Sequence, residues 1–407
     1  MNILLAKKYF YRKGGAESSF FITADLLRRK GHNVIFFSMQ DERNDPSEYE
    51  RYFVSNVDYE KPGLKNKIGA AIKLLYSFEA KNKVEQLIKR EKPDIAHLNN
   101  IYHQISPSII HGLKKFNIPV VMTLRDYKLV CASYNMLVQG KACEACKDGK
   151  YYHCFLKGCV KGSKAKSLLN TIEMYLHHKI LSIYDLVDIF ISPSRFLKNK
   201  MEEMGAKGKF VYLPNFVRVD EFQPQYAWSE NSIVYFGRLS EEKGLMTLVK
   251  AMKAIPEISL KIIGEGPLRG HLESEIGKNV IGNVRFLGYK SGEELHAEIR
   301  NSMFVVLPSE WYENNPRTII EGFALGKPAV AARIGGILEL VRDDETGFTF
   351  QAGDPEDLKQ KILLLAKNPE KILLMGKRAR SFVEQELNPE KHYEKLMEIY
   401  RQASKDR

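Results

Sequence analysis

Two glutamates eight positions apart, Glu313 and Glu321, are the residues of this chain whose types and spacing point most directly to chemistry. Glu321 lies in a stretch with helical apolar periodicity, and Glu313 precedes the start of that helix, so the two carboxylates do not share a helix face. Pro316 is expected to be the first helical residue and Asn315 its N-cap, because proline's fixed φ suits that position and its missing N–H is not needed there. Glu313 and Glu321 would then flank a helix N-terminus.

A helix N-terminus between two carboxylates is suited to a nucleotide sugar. Its unpaired backbone N–H groups and positive dipole end attract a diphosphate, and a carboxylate on each side can accept hydrogen bonds from sugar hydroxyls. The same spacing also fits a capped surface helix with two solvated acids. The choice between a nucleotide-sugar site and a surface helix therefore depends on the neighbouring segments.

Four successive predicted strands in the second half of the chain end in small or polar residues. Arg238 comes just after the first of these strands, and Lys243 lies near the start of the next helix. Ligands of open parallel sheets gather at the carboxyl ends of the strands, and two cations there would neutralise a diphosphate leaving group. The four strand ends are Gly237-Arg238, Gly264-Glu265, Gly288-Tyr289 and Pro308-Ser309.

A glycine pair, Gly14-Gly15, follows the first predicted strand. It does not match the dinucleotide fingerprint GxGxxG, and no acidic residue closes the second strand, so a nicotinamide-dependent enzyme is disfavoured. The pair would let the backbone approach a phosphate closely, with Arg12 and Lys13 beside it. An ordinary tight turn explains the same residues.

Alternating apolar runs and helical periodicity predict an α/β fold with parallel sheets covered on both faces. A chain of 407 residues with 44% apolar content is long enough for two domains. The segment Pro214–Pro224 combines turn formers with no clean period, and we place the domain boundary there. The predicted organisation is an acceptor-binding domain (1–213), a nucleotide-sugar-binding domain (214–388) and a C-terminal helix (389–407) that returns to the first domain.

Basic residues are concentrated in the first half. Residues 1–213 contain 35 Lys and Arg against 21 Asp and Glu, whereas residues 214–407 contain 27 against 29. The segments 61–90 and 161–179 mix lysines with apolar residues as basic amphipathic helices do, although core-facing helices with a solvated lysine face show the same pattern. Together with the charge asymmetry they favour contact with an anionic membrane surface.

The location in the cell is predicted from what the sequence does not contain. No run of about 18 apolar residues occurs, and the first residues do not have the layout of a signal peptide. We therefore expect a cytoplasmic protein that is peripheral at the inner face of the membrane.

Four cysteines form a short-spaced cluster within a long irregular segment (131–167). Paired thiolates at such spacing suit a structural zinc ion in a cytoplasmic chain, although unbound thiols and an iron–sulfur cluster are alternatives. The predicted zinc ligands are Cys143, Cys146, Cys154 and Cys159, with Cys131 a little upstream. No Asp-x-Asp metal pair occurs anywhere in the chain, so we expect catalysis without a catalytic metal.

The motifs of both halves together resemble those of family 4 glycosyltransferases with the GT-B fold. The resemblance extends from Asn2 to about Gly353 and is most specific in the second half. The segments that carry it are Gly14-Gly15-Ala16-Glu17, Gly237-Arg238-Leu239 with Lys243-Gly244, Gly264-Glu265-Gly266-Pro267, Phe286-Leu287-Gly288, and Glu313 with Glu321 before Ala324-Leu325-Gly326-Lys327-Pro328-Ala329-Val330.

The resemblance implies two facing Rossmann-like domains, a nucleotide-sugar donor held by the second, and transfer with retention at the anomeric carbon. It implies that Arg238 and Lys243 bind the donor diphosphate, that Glu313 contacts the transferred sugar, and that Glu321 binds the ribose. The glycine pair would close on the phosphates from the opposite domain. The complete set that we assign to donor binding is Gly14, Gly15, Arg238, Lys243, Gly264, Glu265, Asn314, Asn315 and Glu321.

One position departs from the family pattern. Where the family often has a histidine before an aspartate, this chain has Arg125-Asp126. Arginine stays protonated and cannot serve as a general base, but it could hold a phosphate or an acidic acceptor. Asp126 could orient the acceptor or the donor sugar. His97, at another strand end, is a candidate acceptor contact or a core histidine, and with Glu313 these residues form our catalytic set.

The leading hypothesis is a retaining glycosyltransferase that extends a lipid-linked or polysaccharide acceptor in cell-surface glycan synthesis. A nucleotide-sugar epimerase of the same fold is an alternative that would use carboxylate acid–base pairs. A zinc-containing nucleic-acid-binding protein would account for the basic half, but it leaves Arg238, Lys243 and the two glutamates unexplained. We therefore expect no nucleic-acid partner.

Overall fold

The computed structural model describes residues 1–12, 14–57 and 64–405, and for residues 64–67 it describes only the backbone. The chain forms two compact units. The N-terminal unit comprises Met1–Met136, Cys143–Leu213 and His392–Arg407, and the C-terminal unit comprises Leu137–Ala142 and Pro214–Lys391.

Each unit is built around a sheet of six parallel strands. The strands, numbered along the chain, are β1 (Asn2–Lys7), β2 (Asn33–Phe37), β3 (Ile95–Asn99), β4 (Val120–Thr123), β5 (Leu137–Val138), β6 (Lys141–Ala142), β7 (Ile189–Ser192), β8 (Phe210–Tyr212), β9 (Ser232–Phe236), β10 (Ser259–Ile263), β11 (Val284–Gly288), β12 (Val305–Leu307), β13 (Ala329–Ala332) and β14 (Gly347–Phe350). The N-terminal sheet has the order β2-β1-β3-β4-β7-β8 and the C-terminal sheet the order β11-β10-β9-β12-β13-β14. Strands β5 and β6 form a separate antiparallel hairpin.

Helices connect the strands as in Rossmann-like domains. They are α1 (Gly15–Arg29), α2 (Leu64–Leu75), α3 (Phe78–Glu91), α4 (Ser108–Lys115), α5 (Tyr152–Lys157), α6 (Lys164–Tyr175), α7 (Arg195–Glu203), α8 (Leu245–Lys253), α9 (Arg269–Lys278), α10 (Gly292–Asn301), α11 (Arg317–Ala324), α12 (Pro355–Ala366), α13 (Pro369–Glu386) and α14 (Pro389–Lys405). Within the described ranges, no helix combines the length and the apolarity that a membrane crossing requires.

The predicted fold class is confirmed. The inner strands are continuous apolar runs because both faces of each sheet are covered, and every residue of β9 and β13 is buried. Strands β9, β10 and β12 end directly before Gly237, Gly264 and Pro308, where strand ends were predicted. Strand β8 was not predicted, since three residues are too few to show a period.

The predicted cap of the helix after Glu313 is wrong. Helix α11 begins at Arg317, and Pro316 precedes it in an extended conformation (φ −68°, ψ 118°). The side chain of Asn315 does not cap the helix, because its Oδ1 accepts a hydrogen bond from the backbone N–H of Asn215 (3.0 Å). The Asn215 amide donates in turn to the backbone carbonyl of Asn315 (2.9 Å). A partner 100 positions away in the sequence has thus replaced the local cap.

Helix α14 completes the core of the N-terminal unit. Tyr400 is fully buried, and its hydroxyl lies 2.8 Å from Nδ1 of His97 on β3. The other ring nitrogen, Nε2, lies 2.6 Å from the hydroxyl of Thr123 on β4. Both nitrogens of His97 are therefore engaged inside the sheet, and this geometry favours the core interpretation of His97 over an acceptor contact. Burial, with help from the nearby charges of Arg125 and His392, lowers the pKa of His97 to about 3.

A neutral buried His97 predicts a specific loss of stability in acid. The unfolded chain takes up a proton at His97 below its ordinary pKa of 6.5, whereas the folded chain does so only near 3. Stability from this group is therefore complete above pH 6.5 and is lost as the pH falls toward 3, by roughly 2–3 kcal/mol at pH 4.5.

We expect the free energy of unfolding of the His97→Gln variant to fall less steeply between pH 6.5 and 4.5 than that of the wild type, as measured by urea denaturation. His271→Gln, at an exposed position on α9, is the matched control and should keep the wild-type slope. Equal slopes for His97→Gln and the wild type would contradict a neutral buried imidazole.

Candidate active site

The carboxylate of Glu313 is the centre of a buried polar cluster in the C-terminal unit. Only 5% of Glu313 is exposed, and its Oε1 lies 2.5 Å from Nζ of Lys243. The hydroxyl of Ser309 donates a second hydrogen bond to the same oxygen (2.7 Å). The Lys243 ammonium also lies over the ring of Trp311, 5.2 Å from its centroid. The structure therefore brings together two predicted site residues, Lys243 and Glu313, with Ser309 and Trp311, which the sequence analysis did not assign to the site.

Two glycines with positive φ let the loops around Glu313 approach each other. A Cβ on Gly244 (φ 66°) would lie 1.9 Å from the carbonyl oxygen of Pro308, and a Cβ on Gly335 (φ 61°) would lie 2.3 Å from the carbonyl oxygen of Glu313. That carbonyl also accepts a hydrogen bond from the backbone N–H of Gly336 (2.7 Å). The backbone on both sides of the carboxylate is thus fixed by contacts that only glycine permits.

The electrostatics of the cluster keep Glu313 ionised. Burial alone would raise the pKa of Glu313, but the charge and hydrogen bond of Lys243, together with the hydrogen bond from Ser309, outweigh it, so the net effect lowers the pKa. A buried ion pair with additional hydrogen bonds has a fixed geometry. Glu313 is consequently a negative charge held in a fixed position, and Lys243 is a cation directly beside it.

The other predicted donor residues lie at the neighbouring strand ends of this sheet. Arg238 lies two residues after the end of β9 and is exposed, and Gly264 follows β10 with a φ of 135°. A Cβ on Gly264 would lie 2.0 Å from the carbonyl oxygen of Gly237, so these two strand ends touch through their backbones. Glu265 is exposed and forms an ion pair with Arg269. This edge of the sheet is open, with backbone and cationic side chains at its surface.

Glu321 lies on the first turns of α11 and is already paired. Nη2 of Arg317 lies 2.8 Å from Oε1 of Glu321, and Nε of Arg317 donates a hydrogen bond to the same oxygen (3.0 Å). Arg317 thereby holds the carboxylate in one orientation, about one helical turn from the loop that carries Glu313. Asn314 is half-buried in that loop, and Asn315 is engaged with Asn215 as described above.

A second polar network connects three strand ends in the N-terminal unit. The fully buried Lys7, at the end of β1, lies 3.3 Å from the carboxylate of Glu17 and donates a hydrogen bond to Oδ1 of Asn100 (3.2 Å). The amide of Asn100 donates to Oδ2 of Asp126 (2.9 Å), and the backbone N–H of Lys128 donates to the other oxygen (3.0 Å). Asp126 was predicted as a site residue from the sequence, whereas Lys7 and Asn100 were not.

Burial shifts the pKa values of two residues in this network. Burial lowers the pKa of Lys7 to about 8 despite the neighbouring Glu17. Burial also raises the pKa of Asp126, although hydrogen bonds from Lys128 and Asn100 oppose the rise. Arg125, beside Asp126, donates a long hydrogen bond from Nε to Oδ1 of Asn99 (3.4 Å). Arg125 and Asp126 thus lie at the carboxyl edge of the N-terminal sheet, whereas His97 lies inside it.

Gly14 and Gly15 lie at the start of α1 in the N-terminal unit. Gly14 is exposed and extended (φ −175°), so this position is sterically open to any residue and its backbone is accessible. The adjacent Lys13 lies outside the described residues. The predicted role of the pair at a phosphate stays a prediction.

The five cysteines of the N-terminal unit are free thiols. Cys146, Cys154 and Cys159 belong to a small apolar cluster with Tyr151 and Met174. In the described part of the chain, no three His, Cys, Asp or Glu side chains are arranged to hold a metal ion. The structural zinc predicted at Cys143, Cys146, Cys154 and Cys159 stays a prediction from their spacing.

Two family models match the chain in succession. The model described as Glycosyltransferase Family 4 matches residues 13–221, and the model described as Glycosyl transferases group 1 matches residues 219–382.

The curated relatives include glycosyltransferases. An uncharacterized glycosyltransferase of Methanocaldococcus jannaschii is 27% identical over 74% of this chain and 88% of its own length. An uncharacterized 42.6 kDa protein of the cps region of Klebsiella pneumoniae is 29% identical over 84% of this chain and 88% of its own. The amylovoran biosynthesis glycosyltransferase of Erwinia amylovora is 28% identical over 41% of this chain and 44% of its own.

Solved structures share the complete fold. Sucrose-phosphate synthase from Thermosynechococcus elongatus superposes with a TM-score of 0.75 at 20% identity, covering 98% of each chain. The HepE protein of Anabaena, solved with UDP-glucose, superposes with a TM-score of 0.69 at 16% identity, covering 98% of this chain and 99% of its own. At these identities the likeness establishes the fold, which is the GT-B fold that the motifs implied. Since the first family model alone spans more than half of the chain, this protein belongs to Glycosyltransferase Family 4.

Proposed function

We propose that this glycosyltransferase transfers a hexose from a nucleotide-diphosphate sugar, with retention at the anomeric carbon, to a lipid-linked or polysaccharide acceptor in cell-surface glycan synthesis. The observation that carries the proposal is the largely buried Lys243–Glu313 pair at the carboxyl edge of the C-terminal sheet. It places one cation and one fixed carboxylate where α/β sheets bind their ligands. The HepE complex with UDP-glucose supports a nucleotide-sugar donor, and the amylovoran relative supports a glycan product.

The roles of the donor residues follow from their charge and position. Arg238, Lys243 and the N-terminus of α11 supply positive charge for the diphosphate, so we expect turnover without a divalent cation. Glu313 accepts hydrogen bonds from the transferred sugar, and Glu321 accepts them from the ribose. In a retaining transfer the acceptor hydroxyl attacks from the face that the diphosphate leaves, and no strong enzymic base is needed. A permanently charged Arg125 is compatible with such a reaction.

A thermal-shift panel of UDP-, GDP- and ADP-sugars on the full chain tests the donor site. We expect one nucleotide series to raise the melting temperature and the other two to have smaller effects. The absence of a shift with every nucleotide sugar would contradict the donor site. Release of nucleotide diphosphate that depends on an added acceptor would support transfer over the epimerase alternative.

Exposed apolar and basic side chains of the N-terminal unit favour docking on an anionic bilayer at the inner face of the membrane. Ile68 and Ile72 lie one turn apart on α2 and are 52% and 55% exposed. Leu168 and Ile172 have the same spacing on the adjacent α6 and are 43% and 46% exposed. Lys164 and Lys166 are exposed on α6 as well. Apolar side chains bordered by lysines fit an interface with acidic headgroups.

Replacing Glu313 by Gln should abolish transfer while the nucleotide still binds. We expect the rate of transfer to fall by at least about 100-fold, because a fixed charge at the transferred sugar is lost. The affinity for the nucleotide diphosphate should be unchanged or higher, because Lys243 loses its carboxylate partner. Calorimetric titration and initial rates give the two quantities. Glu370→Gln, exposed on α13, is the control, and a parallel loss of nucleotide affinity in Glu313→Gln would argue against this division of roles.

Replacing Arg238 by Gln should weaken nucleotide binding itself. Loss of a charged hydrogen-bond donor at the diphosphate is expected to raise the Kd for the nucleotide by roughly 10- to 100-fold. Arg285→Gln is a matched control, since Arg285 is an exposed arginine near the opposite end of β11. If both variants bind the nucleotide as the wild type does, Arg238 is not a donor contact.

Replacing both Leu168 and Ile172 by Glu should reduce binding to phosphatidylglycerol vesicles by at least about tenfold, because apolar contact is lost and acidic charge is added. Vesicle co-sedimentation measures this. The double variant Leu373→Glu/Leu374→Glu, at exposed positions of the C-terminal unit, should bind like the wild type. Equal binding of the wild type to neutral phosphatidylcholine vesicles would contradict an anionic docking surface.

A further inference from the structure

The ion pair between Arg317 and Glu321 is not one that helix electrostatics would favour. Arg317 is the first residue of α11, and Glu321 lies about one turn further along the same helix. A cation at a helix N-terminus faces the positive end of the helix dipole. An arginine four positions before a glutamate is also the less favourable order for such a pair. The stability of the helix itself therefore gives no reason for an arginine at this position.

The position of α11 is fixed by apolar packing rather than by this ion pair. Ile319, Ile320 and Phe323 are fully buried. A Cβ added to Gly322 would lie 2.6 Å from Cγ2 of Val305, so the helix lies directly against β12. A partly exposed ion pair adds little to packing of this kind. The packing of the helix accordingly does not explain the ion pair either.

The guanidinium of Arg317 is held from two sides. Its Nε (3.0 Å) and its Nη2 (2.8 Å) both contact Oε1 of Glu321. Its Nη1 donates a long hydrogen bond to the backbone carbonyl of Phe216 (3.4 Å). The two hydrogen bonds between Asn215 and Asn315 join the same two segments directly before these residues. Since only 11% of the Arg317 side chain is exposed, its orientation is fixed before a ligand binds.

The ion pair leaves one oxygen of Glu321 for a ligand. A carboxylate has two acceptor oxygens, and both arginine contacts end on Oε1. The Glu321 side chain is 20% exposed, so a ligand can reach the carboxylate from solvent. A side chain that is already held in one orientation loses little further entropy on binding. Arg317 therefore prepares Oε2 of Glu321 as an acceptor in a fixed position.

We propose that Arg317 is a positioning residue that makes the donor site selective for ribonucleotides over deoxyribonucleotides. By holding Oε1, it directs Oε2 of Glu321 to the hydroxyls of the ribose, which donate hydrogen bonds to it. A nucleotide that lacks one of these hydroxyls leaves a fixed charge without its donor, and a site of that kind discriminates strongly. Arg317 acts through Glu321 and not on the nucleotide itself. This inference rests on the proposed function, because ribose binding by Glu321 is part of it.

Nucleotide affinities of the full chain, measured by calorimetric titration, test this role. The probes are UDP, 2′-deoxy-UDP and 3′-deoxy-UDP, or the matching GDP or ADP set if the thermal-shift panel selects that base. We expect the wild type to bind the ribonucleotide at least about tenfold more tightly than one of the deoxy analogues. Arg317→Gln should reduce this ratio to below about threefold, mainly by raising the Kd for the ribonucleotide. An unchanged ratio in Arg317→Gln would overturn the inference.

A double-mutant cycle shows whether Arg317 acts through Glu321. Glu321→Gln should lose the same selectivity. The double variant Arg317→Gln/Glu321→Gln should show no further loss of ribonucleotide affinity, because no carboxylate is left for the arginine to orient. Additive losses would contradict a positioning role. Arg29→Gln is the matched control, since Arg29 forms an exposed ion pair of the same i,i+4 spacing with Asp25 on α1, and it should keep the wild-type ratio.

A second substitution keeps the test decisive if Arg317→Gln does not fold. Arg317→Lys retains a cation beside Glu321, so the protein should fold, but a lysine has no planar fork with which to fix the carboxylate. We expect its ratio of deoxynucleotide to ribonucleotide Kd to be at least about threefold lower than that of the wild type. A wild-type ratio in this variant would also overturn the inference.

The same titrations distinguish the levels of failure. If Glu321→Gln loses the selectivity and Arg317→Gln keeps it, only the role of Arg317 is refuted. If the wild type does not discriminate against either deoxy analogue, the ribose contact of Glu321 is refuted together with this inference. The absence of binding by every nucleotide would contradict the donor site as a whole.

Discussion

The buried carboxylate of Glu313 is the constraint on which the C-terminal unit depends. A carboxylate that is almost inaccessible to solvent requires a cation, and Lys243 supplies it from a turn 70 positions away. For the two to meet, the loop after β12 must lie against the turn before α8, and Gly244 makes that approach sterically feasible. Gly335 likewise allows the loop after β13 to approach the backbone of Glu313 closely. The Lys243–Glu313 pair therefore forms only when these three loops are packed together, so the packing of the loops also determines the charge of the site.

The N-terminal unit has a polar edge of a different kind. Its hydrogen bonds run from one strand end to the next, from Glu17 through Lys7 and Asn100 to Asp126. Several of these groups are satisfied by one another, so the edge is rigid before any ligand arrives. A preorganised edge reduces the entropy that must be lost when a ligand binds.

Sequence reasoning succeeded where the signal is local. Apolar runs predicted the strands, and Arg238 was expected just after a strand and Lys243 near the start of the next helix, where the structure has them. It failed where a partner lies far away in the chain. Asn315 was predicted to cap α11, but its partner Asn215 belongs to the start of the same unit. Lys7 reads as one of two ordinary lysines after a strand, and only its burial between Glu17 and Asn100 shows that it connects two strand ends.

The hydrogen bond between His97 and Tyr400 joins residues 303 positions apart. During translation, the N-terminal sheet is therefore synthesised long before the helix that covers it. Its strands must persist with an incomplete core while the C-terminal unit is made, and Nδ1 of His97 has no Tyr400 hydroxyl to bond until α14 leaves the ribosome. The N-terminal unit is consequently begun before the C-terminal unit and completed after it, and its uncovered core is most prone to aggregation in the interval between these events.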